Sequence, residues 1–219
     1  MPKLLATPGF LWSAHYQVEK KPTPPRVKHT TDLSIGDDND YILIFGGESA
    51  HVFAREAASF YKGSVDRFTR LQSAGDKAML AKRTGVRVAI MTEEERVQGV
   101  ENGTRDGRRL PGRCIQLGSF NGPTPEIEEE LLAWYADWRL RILSQVPGSL
   151  GMRKLAGTVG WNKHGVMYEF LSLDQRNKAM AEVVRRCPEE AEWTEVCVPK
   201  LVHAPGSPHI AVRVHALEK

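Results

Sequence analysis

Residues 113–120 read RCIQLGSF and residues 124–143 read TPEIEEELLAWYADWRLRIL, and these two stretches decide the fold. The first reads as a β-strand that ends at Asn121-Gly122-Pro123. The second opens as a helix, because Thr124 suits the N-cap and Pro125 the first helical position. Glu126, Glu128, Glu129 and Glu130 gather at the positive end of the helix dipole, and Arg139 and Arg141 lie toward its other end. Ile127, Leu131, Trp134, Trp138 and Ile142 recur at steps of three and four, which makes one apolar stripe. Pro147-Gly148 ends the helix.

Outward from this pair, the C-terminal half reads cleanly. Met152 to Trp161 is a strand with Leu155, Gly157, Val159 and Trp161 on one face. Residues 162–165 (NKHG) turn the chain, and Val166 to Leu171 is the next strand. Ser172-Leu173-Asp174-Gln175 is a capping box that starts a helix to about Arg186, where Pro188 stops it. After a loop rich in Pro and Glu, His209 to Leu217 alternates as a last strand. The order β-α-β-β-α-β is the ferredoxin-like plan.

The N-terminal half reads as a degenerate copy. Gly9 to Val18 is its first strand, and Lys20 to Asn39 is polar, Pro-rich and without helical period. Tyr41 to Phe45 is a strand broken by Gly46-Gly47. Glu48 to about Leu71 and Asp76 to Lys82 are expected helices, and Gly85 to Met91 the closing strand. Val86-Arg87-Val88 in that strand matches Val212-Arg213-Val214 in the other closing strand. Residues 101–112 (ENGTRDGRRLPG), charged and Gly-rich, read as a linker. The division is thus 1–100, 101–112 and 113–219.

Composition narrows the function classes. The chain has 219 residues, a formal charge of +3 and 26% charged residues, and its Lys and Arg interleave with Asp and Glu rather than forming one basic face. No nucleic-acid partner is expected. No apolar run is long enough to span a membrane, so no membrane partner is expected either. Cys114, Cys187 and Cys197 make an odd count without CxxC spacing, which argues against a disulfide framework and for a reducing cytoplasm. No histidine pair has metal-ligand spacing, and no phosphate loop or nucleophile elbow occurs. No metal and no cofactor are expected.

Trp134-Tyr135, followed by Val146-Pro147-Gly148-Ser149-Leu150-Gly151-Met152-Arg153-Lys154-Leu155, resembles the EthD-like branch of the dimeric α+β barrel superfamily. Members often carry Trp-Tyr late in the first helix, then a Pro-Gly turn and Gly-x-Arg leading into the second strand. The likeness covers roughly residues 113 to 217, and residues 9 to 92 follow it by element order alone. The family's helix commonly continues with a His, which Ala136-Asp137-Trp138-Arg139-Leu140 lacks. The resemblance implies an α+β fold in which two ferredoxin-like units, the N-terminal one degenerate, form a barrel with the pocket inside. It also implies a possible homodimer. Superfamily members include cofactor-free lyases, isomerases, cyclases, decarboxylases and monooxygenases, as well as haem enzymes and ligand sensors.

Strand alternation then proposes a site. If Ile115, Leu117, Ile210, Val212 and Val214 face the helices, then Cys114, Gln116, Ala211, Arg213 and His215 face the barrel. If Phe10, Trp12, Ala14 and Tyr16 form the apolar face of the first strand, then Ser13, His15 and Gln17 look inward. The expected interior set is Ser13, His15, Gln17, Arg87, Gln116, Arg213 and His215, joined by Tyr168 or Glu169. His15 and His215 are the candidate catalytic acid and base. Arg87, Arg213, Gln116, Ser13 and Tyr168 are the candidate substrate contacts, the arginines holding a carboxylate or developing oxyanion. A strand histidine is also often only structural, and the arginines suit strand edges equally. The expected function is a cofactor-independent lyase, isomerase, cyclase or decarboxylase acting on a small aromatic or polyketide-like molecule. A haem-dependent barrel enzyme and a non-catalytic binding module are the alternatives.

Overall fold

The computed structural model describes residues 6, 8–22, 24–32, 39–53 and 73–219. Its strands are β1 Phe10–Val18, β2 Lys28–His29, β3 Tyr41–Gly47, β4 Ile90–Gln98, β5 Cys114–Asn121, β6 Ser149–Val159, β7 His164–Phe170, β8 Val202–His203 and β9 His209–Glu218. Its helices are α1 Ala74–Leu80, α2 Pro125–Trp134, α3 Leu140–Gln145, α4 Leu173–Arg186 and α5 Pro188–Cys197, with a π turn, Tyr135–Arg139, joining α2 to α3. None of these helices is long and apolar enough to cross a membrane.

Seven strands form one antiparallel path in the order β3-β1-β9-β5-β7-β6-β4. Its middle, β9-β5-β7-β6, is the C-terminal half in ferredoxin-like order. Strands of the N-terminal half flank it, β3 and β1 on one side and β4 on the other. The turn Ala50–Phe53 after β3 touches β4, so the two edges approach each other and the sheet curls into a half-barrel. The fold is α+β and barrel-like, and both halves contribute to one sheet.

Local chemistry starts the elements where expected. The Thr124 side chain accepts from the Ile127 amide, with Pro125 in the first turn of α2. The Ser172 hydroxyl accepts from the Gln175 amide at 3.2 Å to start α4. Ser73 and Asp76 close a capping box on α1, which runs 74–80 rather than 76–82.

Four expectations need correction. Residues 188–200, expected as a loop, form α5 and a 3-10 turn, because Pro188 both stops α4 and suits the first turn of the next helix; Trp193 and Cys197 pack into the core. β3 is not broken at Gly46-Gly47, since the Trp12 indole lies over Gly46 and any Cβ there would overlap it. The closing strand spans Ile90–Gln98 instead of 85–91, so Val86-Arg87-Val88 lies ahead of it while Val212-Arg213-Val214 lies within β9. The three-residue match does not link equivalent elements. Cross-strand charge made the difference, as Lys154–Glu94 at 2.7 Å pairs the acidic β4 with β6. The expected helix over 48–71 shows a 3-10 turn at 50–53 and otherwise lies outside the described residues.

Two cores cover the two faces of the sheet. Cys114, Phe120, Met152, Val166, Tyr168, Phe170 and Ile210 meet the helices on the convex face. Trp12, Ala14, Tyr16, Val18, Ile115, Met167 and Ala211 meet Leu110 on the concave face. Residues 105–112 lie against that concave face. Arg105 bonds to Glu169, the Gly112 amide donates to Glu169 at 2.9 Å, and the Tyr16 hydroxyl donates to the Gly112 carbonyl at 2.9 Å.

Candidate active site

The expected interior set does not share one interior. Gln116 faces the helices, where its carbonyl oxygen accepts from Arg176 of α4, and Tyr168 faces Arg139 of the π turn. Glu169, one residue on, faces the concave side. His15 pairs with His215 across β1 and β9, on the face opposite Tyr16 and Ala14. Ser13 shares that face by alternation. Of the expected strand residues, Glu169 and Arg213 look inward, and Arg213 is spent there on Asp106 and on the Pro111 carbonyl at 2.8 Å. Arg87 precedes β4 and donates to the Pro205 carbonyl. The alternation was right and the sidedness inverted. The concave face, closed by 105–112, is a packed core, so the apolar alternates of β1 and β5 point there.

Along β9, Gln116 lies opposite Ile210 near one end, and His15 lies opposite His215 near the other. The predicted residues therefore fall into separate places. At the first, the helix–sheet layer, polar groups converge around the π turn. Such a turn adds a residue to the helical repeat and often marks a functional site. Here it shifts the buried stripe by one position. Beyond Trp134 the buried residues are Tyr135, Arg139, Leu140 and Leu143, while Trp138 of the expected stripe is exposed. An α-helix would have kept Arg139 off the stripe, and nothing in local spacing announces the shift.

The Arg139 guanidinium lies 5.1 Å from the Trp134 ring centroid and 5.4 Å from that of Tyr168. Its Nε donates to the Tyr168 hydroxyl at 3.2 Å. Tyr135 also bonds to Tyr168, and burial holds the Tyr135 phenol well above its usual range, so it remains a donor. Arg176 is half-buried, and its hydrogen-bond partners are the amide oxygens of Gln116 and Asn177. Burial lowers its pKa, Cys114 opposes that shift, and Arg139 adds to it, so the two guanidinium groups share one field. The Trp134 Nε1 donor is buried with no hydrogen-bond partner among the described residues. An unmet buried donor costs about 1–3 kcal/mol, which an acceptor on a ligand would recover.

At the second place, His15 is half-buried against Tyr41, ring centroids 5.4 Å apart. Burial lowers its pKa, with Arg83 and His215 adding to the effect, so the imidazole is neutral near pH 7. His215 is exposed. A further imidazole, His203, is buried beside Phe120 at the far end of β5, its pKa lowered to about 4 by burial and by His29.

On the concave face, Glu169 is 1% exposed and held by Arg153 Nε at 2.6 Å, by Arg105 and by the Gly112 amide. Burial alone would raise its carboxyl, but Arg153 and Arg105 outweigh that and keep it below the ordinary range. Arg153 also sits 5.6 Å from the Trp12 ring centroid. Among the described residues, no group of three or more His, Cys, Asp or Glu side chains is arranged to hold a metal ion.

No family model matches the chain, and no curated protein matches it. A solved structure described as an anthrone oxidase-like protein resembles it with a TM-score of 0.57 at 15% identity, over 99% of this chain and 83% of that one. At that identity the likeness is one of fold.

Proposed function

We propose that the chain is an enzyme of the α+β barrel kind acting on a small aromatic or polyketide-like molecule, bound between the C-terminal helices and the sheet. The observation that carries this is the buried Nε1 of Trp134, without a hydrogen-bond partner among the described residues, beside Arg139, whose guanidinium shares one field with Arg176, a half-buried arginine bonded to neutral amides. In this reading Arg176 and Arg139 hold the oxyanion of an enolate or phenolate, the charge that isomerisation, cyclisation and decarboxylation of such compounds have in common. Tyr168 accepts from Arg139 and Tyr135 and turns its own proton to the substrate. Gln116 orients Arg176, while Trp134 and Trp193, 5.9 Å apart, offer ring faces. An anthrone, a ketone whose enolate is a phenolate, belongs to the compound class that this arrangement suits. The same reading takes the protein as an EthD-like, cofactor-independent cytoplasmic enzyme that pairs as a homodimer. Its test is tryptophan-fluorescence titration with a panel of anthrones and naphthols. Binding that Arg176→Gln weakens about tenfold or more supports the reading. A panel without a binder at millimolar concentration rejects it.

A second reading puts catalysis at His15 and His215. Its support is a neutral imidazole opposed to another across two strands, with Arg83 near enough to be felt. His15→Ala would then lower turnover by about 10²–10⁴-fold. A variant that keeps full activity leaves His15 a structural residue.

A further inference from the structure

The segment that leads into the cover of the concave face, residues 99–109, has a second feature. On their outer side is a cleft of about 290 Å³ lined by Arg96, Val97, Gln98, Asn102, Gly103, Arg105, Gly107 and Arg108. The carboxylates bonded to the lining Arg96 and Arg105 are committed. Glu93 takes both Nε and Nη2 of Arg96 at 2.7 Å, and Glu169 takes Arg105 and Arg153. Arg105 is itself largely committed, four of its N–H groups donating to Glu169, to the Leu110 and Leu150 carbonyls, and through Nε to the Asn102 side-chain oxygen at 3.3 Å.

That last bond fixes the Asn102 amide, because an oxygen held by Arg105 turns the NH₂ away from it. The Arg108 side chain has no hydrogen-bond or ionic partner among the described residues, although its position is set. Gly107 adopts φ +83, where a side chain would be strained, and the turn lets Glu218 of β9 accept from the Arg108 amide at 3.1 Å and the Arg109 amide at 2.6 Å. The cleft therefore holds unspent donors on Asn102, on Arg96 Nη1 and on Arg108, mounted on a turn anchored at both ends.

We propose that this cleft is an oxyanion site, taking the carboxylate or phosphate group of a small metabolite, and that it is separate from the helix–sheet layer. Arg108 supplies the charge, Asn102 a directed donor and Arg96 its remaining N–H. The volume leaves room for a short organic stem beside the anion. The proposal stands whether or not the aromatic-substrate reading holds, since the two places share no residue.

Isothermal titration of the full chain with inorganic phosphate and, separately, with succinate at fixed ionic strength tests it. Saturable binding of either anion is expected, weakened about tenfold or more in Arg108→Gln and in Asn102→Asp. Arg141→Gln, an exposed arginine on α3, should leave it unchanged. The anion that saturates identifies the group. Arg108 is exposed, so its variant should fold as the parent does, which thermal melting checks. Absence of saturable heat with both anions overturns the proposal, as does equal affinity in parent and Arg108→Gln.

Discussion

The two faces of the sheet bury arginines in opposite ways. On the concave face, Arg105 and Arg153 enclose Glu169, and the Gly112 amide takes a further lone pair, so the carboxylate is fully met. On the convex face, Arg176 finds amide oxygens, and the Trp134 indole N–H finds no acceptor among the described residues. The first arrangement is complete without any other molecule and ties residues 105–112 to the barrel. The second is incomplete, and an incomplete buried polar cluster is where a ligand gains most.

The sharpest way to break this contrast is Glu169→Gln. It leaves two buried guanidinium groups facing a neutral amide, and unfolding stability should fall by about 3–5 kcal/mol in urea titration. A loss below about 1 kcal/mol would mean that the clasp does not hold the fold.

The acid limb of the stability curve comes next. The folded pKa of His203 is lowered from 6.5 to about 4, so the fold favours the neutral ring. Its contribution is intact above pH 6.5 and is lost as pH falls from there toward 4, amounting to roughly 3 kcal/mol. His203→Phe, packed against Phe120, should flatten that limb. Glu169 has the opposite origin but the same direction. Its depressed carboxyl contributes fully above the ordinary carboxylate pKa, and the contribution is lost as pH falls through the lowered value. The two limbs should therefore separate in urea melts taken from pH 7 to pH 3, with only the lower one missing in Glu169→Gln.

Tyr16→Phe removes the bond to the Gly112 carbonyl and should cost about 1–2 kcal/mol, measured by the same titration. The smallest stability effect is expected at Arg176→Gln, within about 0.5 kcal/mol, because its partners are neutral and partly solvated. A stability loss as large as that of Tyr16→Phe would make Arg176 a structural residue and remove the contrast.

Much of the scaffold was legible. Thr124-Pro125 and Ser172 announced their helices because capping is local chemistry, decided within one turn. The strands at 10–18, 114–121, 164–170 and 209–218 were legible from alternation. The charged strand Ile90–Gln98 was not, because its stability comes from β6 across the sheet rather than from its own pattern. Of the candidate residues, Gln116 and Tyr168 fall in the helix–sheet layer, while Arg139 and Arg176 went unnoticed. Arg139 reaches that layer only through the π turn, and Arg176 only through the packing of α4 on β5.

The order of elements, the caps and the two-residue periodicity belong to the sequence, since each depends on neighbours a few positions away. Which alternate of each strand became interior belonged to the tertiary structure. With apolar and polar residues on both faces, periodicity separates the faces but does not name them. That choice was made when residues 105–112 closed the concave side, bringing Leu110 onto Trp12 and Tyr16 and giving Glu169 its two arginines. Apart from Arg153–Glu169, 16 positions apart, these contacts join residues about 64 to 98 positions apart, and no local pattern encodes such distances.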